Sequence, residues 1–434
     1  MDKSYDAIVI GAGIIGCCTA FELAKKGYRT LNIDKLPGAG HGSTGNSCAI
    51  IRVHYSTFDG AAMAQEGVHY WKDWKNYLEV DDESGLAVYR NVGCIVTKTE
   101  RNGFLKTVSK NLTDLGIEWE DWDADKLCHE MPIYDPHRFW PVKLMDDPAF
   151  GATSGDTLEG AIFTPHSGYV SDPQLSSHNV QRATEAKGGE FLFNAEVVEI
   201  RKAQGRVAGV TLKDGTPIDA PVVVNVAGPH SFIINRLAGV EDGMKIKTRA
   251  LRQEVAHVPS PEGFDFETNG CVTSDGDIGC YSRPEVGNHI LIGSEDPDCD
   301  EREWVDPNNF NRNFTDQWKN QVYRLAQRIP SLGIPNQAKG VVDLYDVSDD
   351  WIPIYDKSDL AGFYMAIGTS GNQYKNAPVA GAMMAELIDR SENGHDHDTE
   401  ALRFELRHTG QTIEVGFYSR RREINAESSF SVIG

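Results

Sequence analysis

Three glycines near the start of the chain have the spacing of a phosphate-binding turn. Residues 7–10 are a short apolar run typical of a buried strand, and Gly11, Gly13 and Gly16 follow directly. In such a turn the first glycine permits a tight bend, the second lets the backbone approach a pyrophosphate, and the third lets a helix lie close to the strand. The N–H groups that begin the helix attract phosphates. The sequence therefore predicts a dinucleotide site here.

An acidic residue completes this pattern. Residues 14–26 are spaced as a helix that stops at Gly27, and residues 30–34 are a second strand ending in Asp34. A carboxylate at this place can accept hydrogen bonds from ribose hydroxyls. Strand, helix and acid together predict a βαβ unit, which alone does not distinguish NAD from FAD.

A second glycine-rich segment favours FAD. No other GxGxxG motif follows a strand, so no separate NAD(P) module is visible. Residues 38–47 are rich in glycine, serine and threonine, and they continue into Ile50, Ile51 and Arg52. A loop of this kind can pass beneath a long cofactor and offer it backbone and hydroxyl donors.

The composition excludes several other classes of protein. The chain has 434 residues, with 64 acidic and 42 basic side chains and a formal net charge of −22, which disfavours nucleic acid and anionic membranes as partners. No signal peptide or membrane span is predicted. The eight cysteines form no C-x-x-C pair, and His395 and His397 have no further ligand at a metal-site spacing, so we expect no metal site. We expect the two histidines to lie in a solvated loop. The expected location is the cytoplasm, where cysteines stay reduced.

The regular and irregular stretches of the chain alternate. Strand-like and helical patterns dominate residues 1–86, 157–238 and 338–434, which we interpret as one discontinuous FAD-binding domain. In residues 87–156 and 239–337 the strand-like and helical patterns are scattered, and we interpret these two segments as a substrate-binding domain. The predicted fold class is α/β, or α+β overall: a Rossmann-type domain beside a mainly antiparallel sheet.

The sequence resembles the D-amino acid oxidase-like flavoenzymes, especially the branch containing sarcosine oxidase and dimethylglycine dehydrogenase. Besides the N-terminal βαβ unit, the resemblance rests on segments that span nearly the whole chain in the family's order. These segments are residues 42–47 (GSTGNS), 50–52 (IIR), 168–173 (GYVSDP), 223–228 (VVNVAG), 281–285 (YSRPE) and 368–375 (GTSGNQYK).

The resemblance implies FAD and a set of residues around it. The N-terminal glycine turn and residues 43–44 match the phosphate-binding positions, and Asp34 matches the ribose position. Val198 matches the position whose backbone meets the adenine, and residues 368–375 match a loop that closes over the flavin. The implied cofactor residues are Gly11, Gly13, Ile14, Ile15, Gly16, Asp34, Lys35, Gly42, Ser43, Thr44, Asn46, Ser47, Val198, Ala227, Gly228, Gly368, Ser370, Gly371, Asn372 and Lys375.

The resemblance also implies which residues hold the substrate. Arg52 and Lys375 match two cations that bind a substrate carboxylate, and Arg283 is a third candidate with an alternative structural role. Two charge-assisted contacts would orient the carboxylate so that the carbon carrying hydrogen lies under flavin N5.

Three departures from the family pattern change the expectation. Asn46 stands where the dimethylglycine dehydrogenase type has a histidine bonded to the flavin, and Asp343 where monomeric sarcosine oxidases have a bonded cysteine. We therefore expect non-covalent FAD. Leu291 replaces a lysine that assists the reaction with oxygen, which leaves oxidase and dehydrogenase activity both open.

The expected activity is oxidation of the C–N bond of a small amino acid or N-methylated, sarcosine-like amino acid by hydride transfer to flavin N5. Oxygen or another acceptor would then take the electrons. Two alternatives stay open: an FAD-dependent 2-hydroxy acid dehydrogenase, and a flavin-containing subunit of a larger complex. The chain could thus form homo- or hetero-oligomers, and its partners would include neither nucleic acid nor a membrane.

Overall fold

A six-stranded, mostly parallel sheet forms one half of the computed structural model, which describes residues 4–99 and 103–434. Its strand order is β19-β20-β13-β1-β2-β9, and only the β19–β20 pair is antiparallel. Nearly all of its residues are buried, as expected for strands covered on both faces. The strands are β1 (Ala7–Ile10), β2 (Thr30–Ile33), β9 (Glu190–Leu192), β13 (Val222–Asn225), β19 (Ile354–Lys357) and β20 (Phe363–Ile367).

A mainly antiparallel eight-stranded sheet forms the other half. Its order is β18-β14-β17-β16-β15-β5-β7-β6, and only β15 and β5 pair in parallel. Its strands are β5 (Cys94–Thr97), β6 (Glu120–Asp123), β7 (Gly160–Thr164), β14 (Thr248–Pro259), β15 (Val272–Asp275), β16 (Cys280–Glu285), β17 (His289–Ser294) and β18 (Gly340–Ser348). The predicted fold class is confirmed.

Three small sheets complete the set of strands in the described residues. They contain β3 (Ile50–Ile51), β4 (Tyr89–Asn91) and β8 (Gly168–Val170); β10 (Val197–Ala203), β11 (Arg206–Leu212) and β12 (Pro217–Asp219); and β21 (Arg403–Glu405) and β22 (Thr412–Glu414). The strands β7 and β18 belong to the eight-stranded sheet although they lie just outside the predicted insertions. The domain boundaries themselves stay a prediction.

The helices cover the sheets and position the loops. They are α1 (Ile14–Lys25), α2 (Phe58–Lys72), α3 (Trp74–Leu78), α4 (Leu105–Asp114), α5 (Ala124–Glu130), α6 (Pro173–Ala186), α7 (Ser231–Ala238), α8 (Phe266–Asn269), α9 (Asp316–Arg328) and α10 (Ala377–Glu392). Asp172 caps α6 by accepting a hydrogen bond from the Leu175 N–H at 2.8 Å, and Pro173 lies in the first turn of the helix. None of the helices in the described ranges is long and apolar enough to cross a membrane.

A close contact between α1 and α10 stabilises the first helix. Cys17 and Cys18 are fully buried, and a Cβ atom on Gly381 would lie 2.6 Å from the backbone carbon of Cys18. Only a glycine lets the two helices approach this closely. The helix that carries the glycine turn is therefore held firmly against the core.

A buried arginine anchors the C-terminal segment. Arg420 donates to the carboxylates of Asp356, Asp359 and Asp398 at 3.0, 2.6 and 2.9 Å. His397 lies beside this cluster and is buried, and its Nδ1 accepts a hydrogen bond from the Leu402 N–H at 3.0 Å. The expected solvated loop is therefore wrong for His397 itself, although most residues around it are exposed. No group of three or more potential metal ligands occurs among the described residues. Beyond Arg420 the chain returns to the interior.

Candidate active site

A cavity of about 630 Å³ lies where the parallel sheet meets the antiparallel sheet. Its volume is within the usual range for ligand sites, roughly 300–1,000 Å³. One end is lined by the glycine turn after β1 and the other by residues from β5, β14, β15 and β16. Most of the residues predicted for the cofactor line it: Gly11, Gly13, Ile14, Ile15, Gly16, Asp34, Lys35, Gly42, Ser43, Thr44, Asn46, Ser47, Ala227, Gly228, Gly371, Asn372 and Lys375.

The glycine turn is shaped by contacts that exclude side chains. A Cβ atom on Gly11, which has φ +108°, would lie 2.2 Å from the Val226 carbonyl oxygen, and one on Gly16 would lie 2.0 Å from the Gly11 carbonyl oxygen. Gly13 is the N-cap of α1 and has no side chain to satisfy the first N–H groups. The start of α1 is thus an open set of donors with a partial positive charge, which suits a pyrophosphate.

Asp34 and Thr44 order the backbone around this turn. The Asp34 carboxylate accepts hydrogen bonds from the N–H groups of Ala12 at 2.7 Å and Leu36 at 2.8 Å. The Thr44 hydroxyl accepts one from the Ile14 N–H at 3.1 Å. Burial nevertheless raises the pKa of Asp34 above its ordinary value. A ribose hydroxyl would add a donor to this partly buried carboxylate.

The long loop after β2 is tied to the antiparallel sheet. The Ser43 hydroxyl donates to the Leu344 carbonyl oxygen at 2.9 Å, and the Asn46 amide donates to the Asp343 carboxylate at 2.6 Å. Asn46 and Asp343, at which the sequence resemblance predicts the absence of a covalent flavin bond, are therefore neighbours in space. Burial raises the pKa of Asp343.

Arg52 and Lys375 meet at the other end of the cavity, on the ring of Tyr55. The Arg52 guanidinium carbon lies 4.5 Å from the ring centre and the Lys375 Nζ lies 5.1 Å from it. Arg52 follows β3, whose pairing with β8 fixes its direction. Lys375 donates to the Tyr55 hydroxyl at 2.9 Å and to the Asn372 carbonyl oxygen at 2.6 Å. Two cations that are 323 positions apart in the chain thus share one buried location.

Lys375 is held in place by helix α2. The Trp71 indole N–H donates to the Lys375 carbonyl oxygen at 2.9 Å, and Gly67 lets the helix approach that carbonyl, because a Cβ there would lie 2.5 Å from it. Burial, together with the charge of Arg52, lowers the pKa of Lys375 well below its ordinary value. An anion bound between the two cations would reverse that effect.

The C-terminal segment lines this end of the cavity, and no motif in the sequence predicts that it does. Arg52 donates to the Val432 carbonyl oxygen at 3.0 Å, and the Ser56 N–H donates to the Gly434 carbonyl oxygen at 3.2 Å. Val432 and Ile433 both line the cavity. Residues at the far end of the chain therefore contribute to the same wall as Arg52.

Four predicted residues do not line the cavity. Arg283 is buried, but its guanidinium pairs with the Glu285 carboxylate at 2.9 Å and stacks on Tyr169 at 4.3 Å. Val198 is 40 % exposed on β10, and its neighbour Val197 faces the cavity instead, because side chains alternate along a strand.

Gly368 and Ser370 act one layer behind the cavity wall. The Gly368 N–H donates to the Asp346 carboxylate at 2.6 Å, and the Ser370 hydroxyl donates to the Gly368 carbonyl oxygen at 3.0 Å. These contacts shape the loop that carries Asn372 and Lys375. Unlike Gly368 and Ser370, Asp346 itself lines the cavity, and burial raises the pKa of its carboxyl group to about 7.

Comparison with known proteins tests the predicted family. Residues 6–387 match the DAO family, described as FAD dependent oxidoreductase. This chain belongs to that family. The predicted family and the enzyme class of oxidoreductase are thereby confirmed, and the FAD-dependent oxidoreductase fold explains the pairing of a parallel with an antiparallel sheet.

Relatives in the FAD-dependent oxidoreductase family match most of the chain at low identity. Sarcosine oxidase subunit beta of Rhodobacter capsulatus is 25 % identical over 89 % of this chain and 85 % of the relative. Glycine oxidase of Geobacillus kaustophilus is 24 % identical over 91 % and 96 %. Among solved structures, L-proline dehydrogenase from P. horikoshii has a TM-score of 0.76 and 19 % identity, covering 97 % of this chain and 98 % of that one.

The residues present fit the FAD that the family implies. The glycine turn has no room for side chains, the start of α1 offers backbone donors of which only the Ile14 N–H has a side-chain acceptor among the described residues, and one cavity is lined by both Asp34 and Lys375. Gly11, Gly13 and Gly16 would hold the pyrophosphate, Asp34 the ribose and residues 42–47 the middle of the cofactor. Arg52, Lys375 and the strands of the antiparallel sheet are left to surround a substrate.

Proposed function

We propose that the protein oxidises the C–N bond of a small amino acid or N-methylated amino acid whose carboxylate binds to Arg52 and Lys375. One observation carries this proposal: both cations are buried, and neither has an acidic partner among the described residues. Burying an unpaired charge is costly, so a site of this kind is built to receive an opposite charge.

The other buried arginines show the contrast. Arg252, Arg283, Arg324, Arg328 and Arg420 each contact at least one carboxylate within 3 Å. The positive charge of each of these five arginines is therefore neutralised by a carboxylate of the same chain. Arg52 and Lys375 bond only to carbonyl and hydroxyl oxygens, and they lie on the cavity wall. The missing carboxylate is therefore assigned to the substrate.

The residues of the chain bind, orient and exclude water. When bound, FAD supplies the acceptor for the hydrogen and two electrons that leave the carbon next to nitrogen. Arg52 and Lys375 fix the carboxylate, which limits the positions that this carbon can take. Val432 and Ile433 close the cavity on the side of Arg52. The substrate leaves as an imine, which water converts to a carbonyl compound and an amine.

Anaerobic reduction of the holoenzyme tests this proposal. The purified protein is mixed with glycine, sarcosine, dimethylglycine and proline and, for comparison, with 2-hydroxy acids of matching size. We expect at least one amino acid to bleach the flavin absorbance. Bleaching by hydroxy acids alone would favour the alternative of a 2-hydroxy acid dehydrogenase, since that substrate offers the same carboxylate to Arg52 and Lys375.

The electron acceptor and the assembly are tested with the same sample. Fast return of the flavin colour on admitting air indicates an oxidase, and slow return indicates a dehydrogenase with another acceptor. The similarity to a sarcosine oxidase subunit beta supports a chain that works beside a second subunit. Failure of every substrate to bleach the isolated chain would support that alternative against a stand-alone enzyme.

We propose that FAD is bound without a covalent bond, in a cytoplasmic protein. Asn46 and Asp343 hydrogen-bond to each other, and neither has the imidazole or thiol that forms a flavin bond in the related enzymes. All eight cysteines are unpaired, which suits a reducing compartment. Acid precipitation of the holoenzyme should leave the flavin in the supernatant; flavin in the washed pellet would contradict the proposal.

A further inference from the structure

His54 is the one imidazole placed beside Arg52 and Lys375 among the described residues, and the proposed reaction has not yet used it. Its side chain is 2 % exposed and lines the cavity, and its Nε2 has no hydrogen-bond partner in residues 4–99 and 103–434. A buried polar atom without a partner is rare, and in a cavity wall it marks a place where a ligand atom completes the bonding.

The other ring nitrogen determines which form of the imidazole is present. Nδ1 lies 4.0 Å from the Cys94 sulfur, and the single hydrogen of that thiol is directed to the Ile95 carbonyl oxygen at 3.7 Å. The sulfur is then left to accept from an Nδ1–H group. A neutral imidazole that carries its hydrogen on Nδ1 has a free lone pair on Nε2. The open atom of His54 is therefore a proton acceptor.

The surrounding charges keep the ring neutral before substrate binds. The ionisable groups that face it are Arg52 on its own segment, Lys375 from the loop before α10 and Cys94 on β5. Burial and the two cations lower the pKa of His54 well below its ordinary value, and burial raises that of Cys94. Since a bound carboxylate offsets the positive charge, the imidazole becomes more basic when the site fills.

We propose that His54 Nε2 takes the proton that the substrate ammonium group must lose before its C–N bond can be oxidised. The N–H bond of the ammonium breaks, an Nε2–H bond forms, and the electron pair stays on the amine nitrogen, so one neutral amine and one imidazolium replace one ammonium and one imidazole. The assignment rests on the proposed function, because it requires an amine held at this end of the cavity. Amines of free amino acids are protonated near neutral pH, and only the neutral amine can release hydride from the adjacent carbon.

Lys375 is the rival acceptor, since its pKa is also lowered. Its Nζ hydrogens are already directed to the Tyr55 hydroxyl and the Asn372 carbonyl oxygen, and both contacts favour the charged ammonium. His54 Nε2 has no such commitment. The geometry therefore favours His54 as acceptor and Lys375 as carboxylate ligand.

Calorimetry with an amino acid that cannot be oxidised tests the proposal. 2-Aminoisobutyrate has a carboxylate and an amine but no hydrogen on the carbon next to nitrogen, so it binds without reacting. Titration into holoenzyme near pH 7.5, in phosphate and in Tris, gives the number of protons released to the buffer from the difference in heat. Trimethylacetate, in which a methyl group replaces the amine, measures the proton change caused by the carboxylate alone.

Two variants of His54 locate the proton. In His54→Gln the amide reaches the place of Nε2, and in His54→Asn it reaches the place of Nδ1, yet neither side chain takes up a proton. We expect wild-type holoenzyme to release almost no proton, and both variants to release about one per site or to lose 2-aminoisobutyrate affinity tenfold or more while keeping that for trimethylacetate. His129→Asn, on the exposed face of α5, should match the wild type.

Equal proton release by wild type and both His54 variants would overturn the assignment. Release that rises only in Lys375→Met would overturn it in favour of Lys375. If neither 2-aminoisobutyrate nor trimethylacetate perturbs the flavin spectrum, the carboxylate site itself is wrong, and the proposed function fails together with the role of His54. Binding of trimethylacetate with equal proton release overturns only the latter.

Discussion

The two ends of the cavity recognise their ligands by different means. At the proposed nucleotide end, Gly11, Gly13 and Gly16 carry no side chains, so backbone N–H groups would face the phosphates of the cofactor. At the substrate end, Arg52 and Lys375 bring charged side chains together on the ring of Tyr55. The first end requires glycines without side chains, and the second requires charged side chains. The two ends should therefore respond to mutation differently.

The comparison also explains how much of the site can be predicted from the sequence. The glycine turn, α1 and Asp34 lie within about thirty consecutive residues, and their local geometry follows from spacing alone. The substrate end draws on β3, β5, the loop before α10 and the C-terminal segment, and no local pattern records that they meet. The resemblance to known enzymes found Arg52 and Lys375; nothing in the sequence singled out Val432.

A substitution in the glycine turn should have the largest effect. Gly16→Val places a side chain against the Gly11 carbonyl oxygen, so α1 must move away from β1 and the phosphate donors are lost. We expect a protein that purifies without flavin, measured by the ratio of visible to ultraviolet absorbance, with unfolding free energy lowered by about 3 kcal/mol.

Gly333→Ala is the matched control, because a Cβ at that position meets nothing within 4 Å. It should bind one FAD per chain. A Gly16→Val protein that also holds one FAD per chain would show that the turn does not form the pyrophosphate site.

The second prediction concerns the pH dependence of flavin reduction. Burial and the two neighbouring cations hold the pKa of His54 well below its ordinary value, and the ring accepts a proton only while neutral, so wild-type reduction should stay level through the ordinary imidazole range near pH 6.5 and slow only at lower pH. In His54→Gln the rate should be lower by roughly 10²-fold at pH 7 and rise about tenfold per pH unit, following the free amine. Parallel profiles in anaerobic stopped-flow would refute this role.

The third prediction compares Lys375, which lines the cavity, with Arg283, which is paired with a carboxylate away from it. Lys375→Met removes one charge-assisted contact to the carboxylate, so the dissociation constant of trimethylacetate should rise about 10–100-fold. Arg283→Met leaves the cavity unchanged but breaks the pair with Glu285, so it should lower the unfolding free energy by up to about 3 kcal/mol and leave that constant within twofold. Equal loss of binding in both variants would place Arg283 in the site.

The smallest effect is expected at Thr44. Thr44→Val keeps the shape of the side chain and removes the hydrogen bond from the Ile14 N–H, which is worth about 1 kcal/mol, so FAD affinity should fall about fivefold. Thr211→Val, on the exposed side of β11, serves as control. Fluorescence titration of FAD into apoprotein measures both, and unchanged affinity in Thr44→Val would mean that the backbone alone orders the turn.

The predictions that missed the cavity have specific physical causes. Arg283 lies in a segment that resembles the related enzymes, but Glu285, two positions along the same strand face, takes its charge. The Val198 side chain points away from the cavity, which the preceding Val197 lines, because side chains alternate along a strand; the contact of the Val198 backbone with adenine stays a prediction. His54 belongs to no motif, because its importance comes from Cys94, Arg52 and Lys375 around it, and only the fold assembles them.

Removing the carboxylate from the substrate tests the central claim most directly. The holoenzyme is mixed anaerobically with an amino acid that bleaches the flavin and with the corresponding amide, such as sarcosine and sarcosinamide, and the rate of bleaching is followed over a range of concentrations. Because Arg52 and Lys375 are buried and have no acidic partner within the part of the chain that the structure describes, we predict that the neutral amide needs at least 100-fold higher concentration for the same rate. Equal concentration dependence for acid and amide would contradict the assignment of the two cations to the substrate carboxylate.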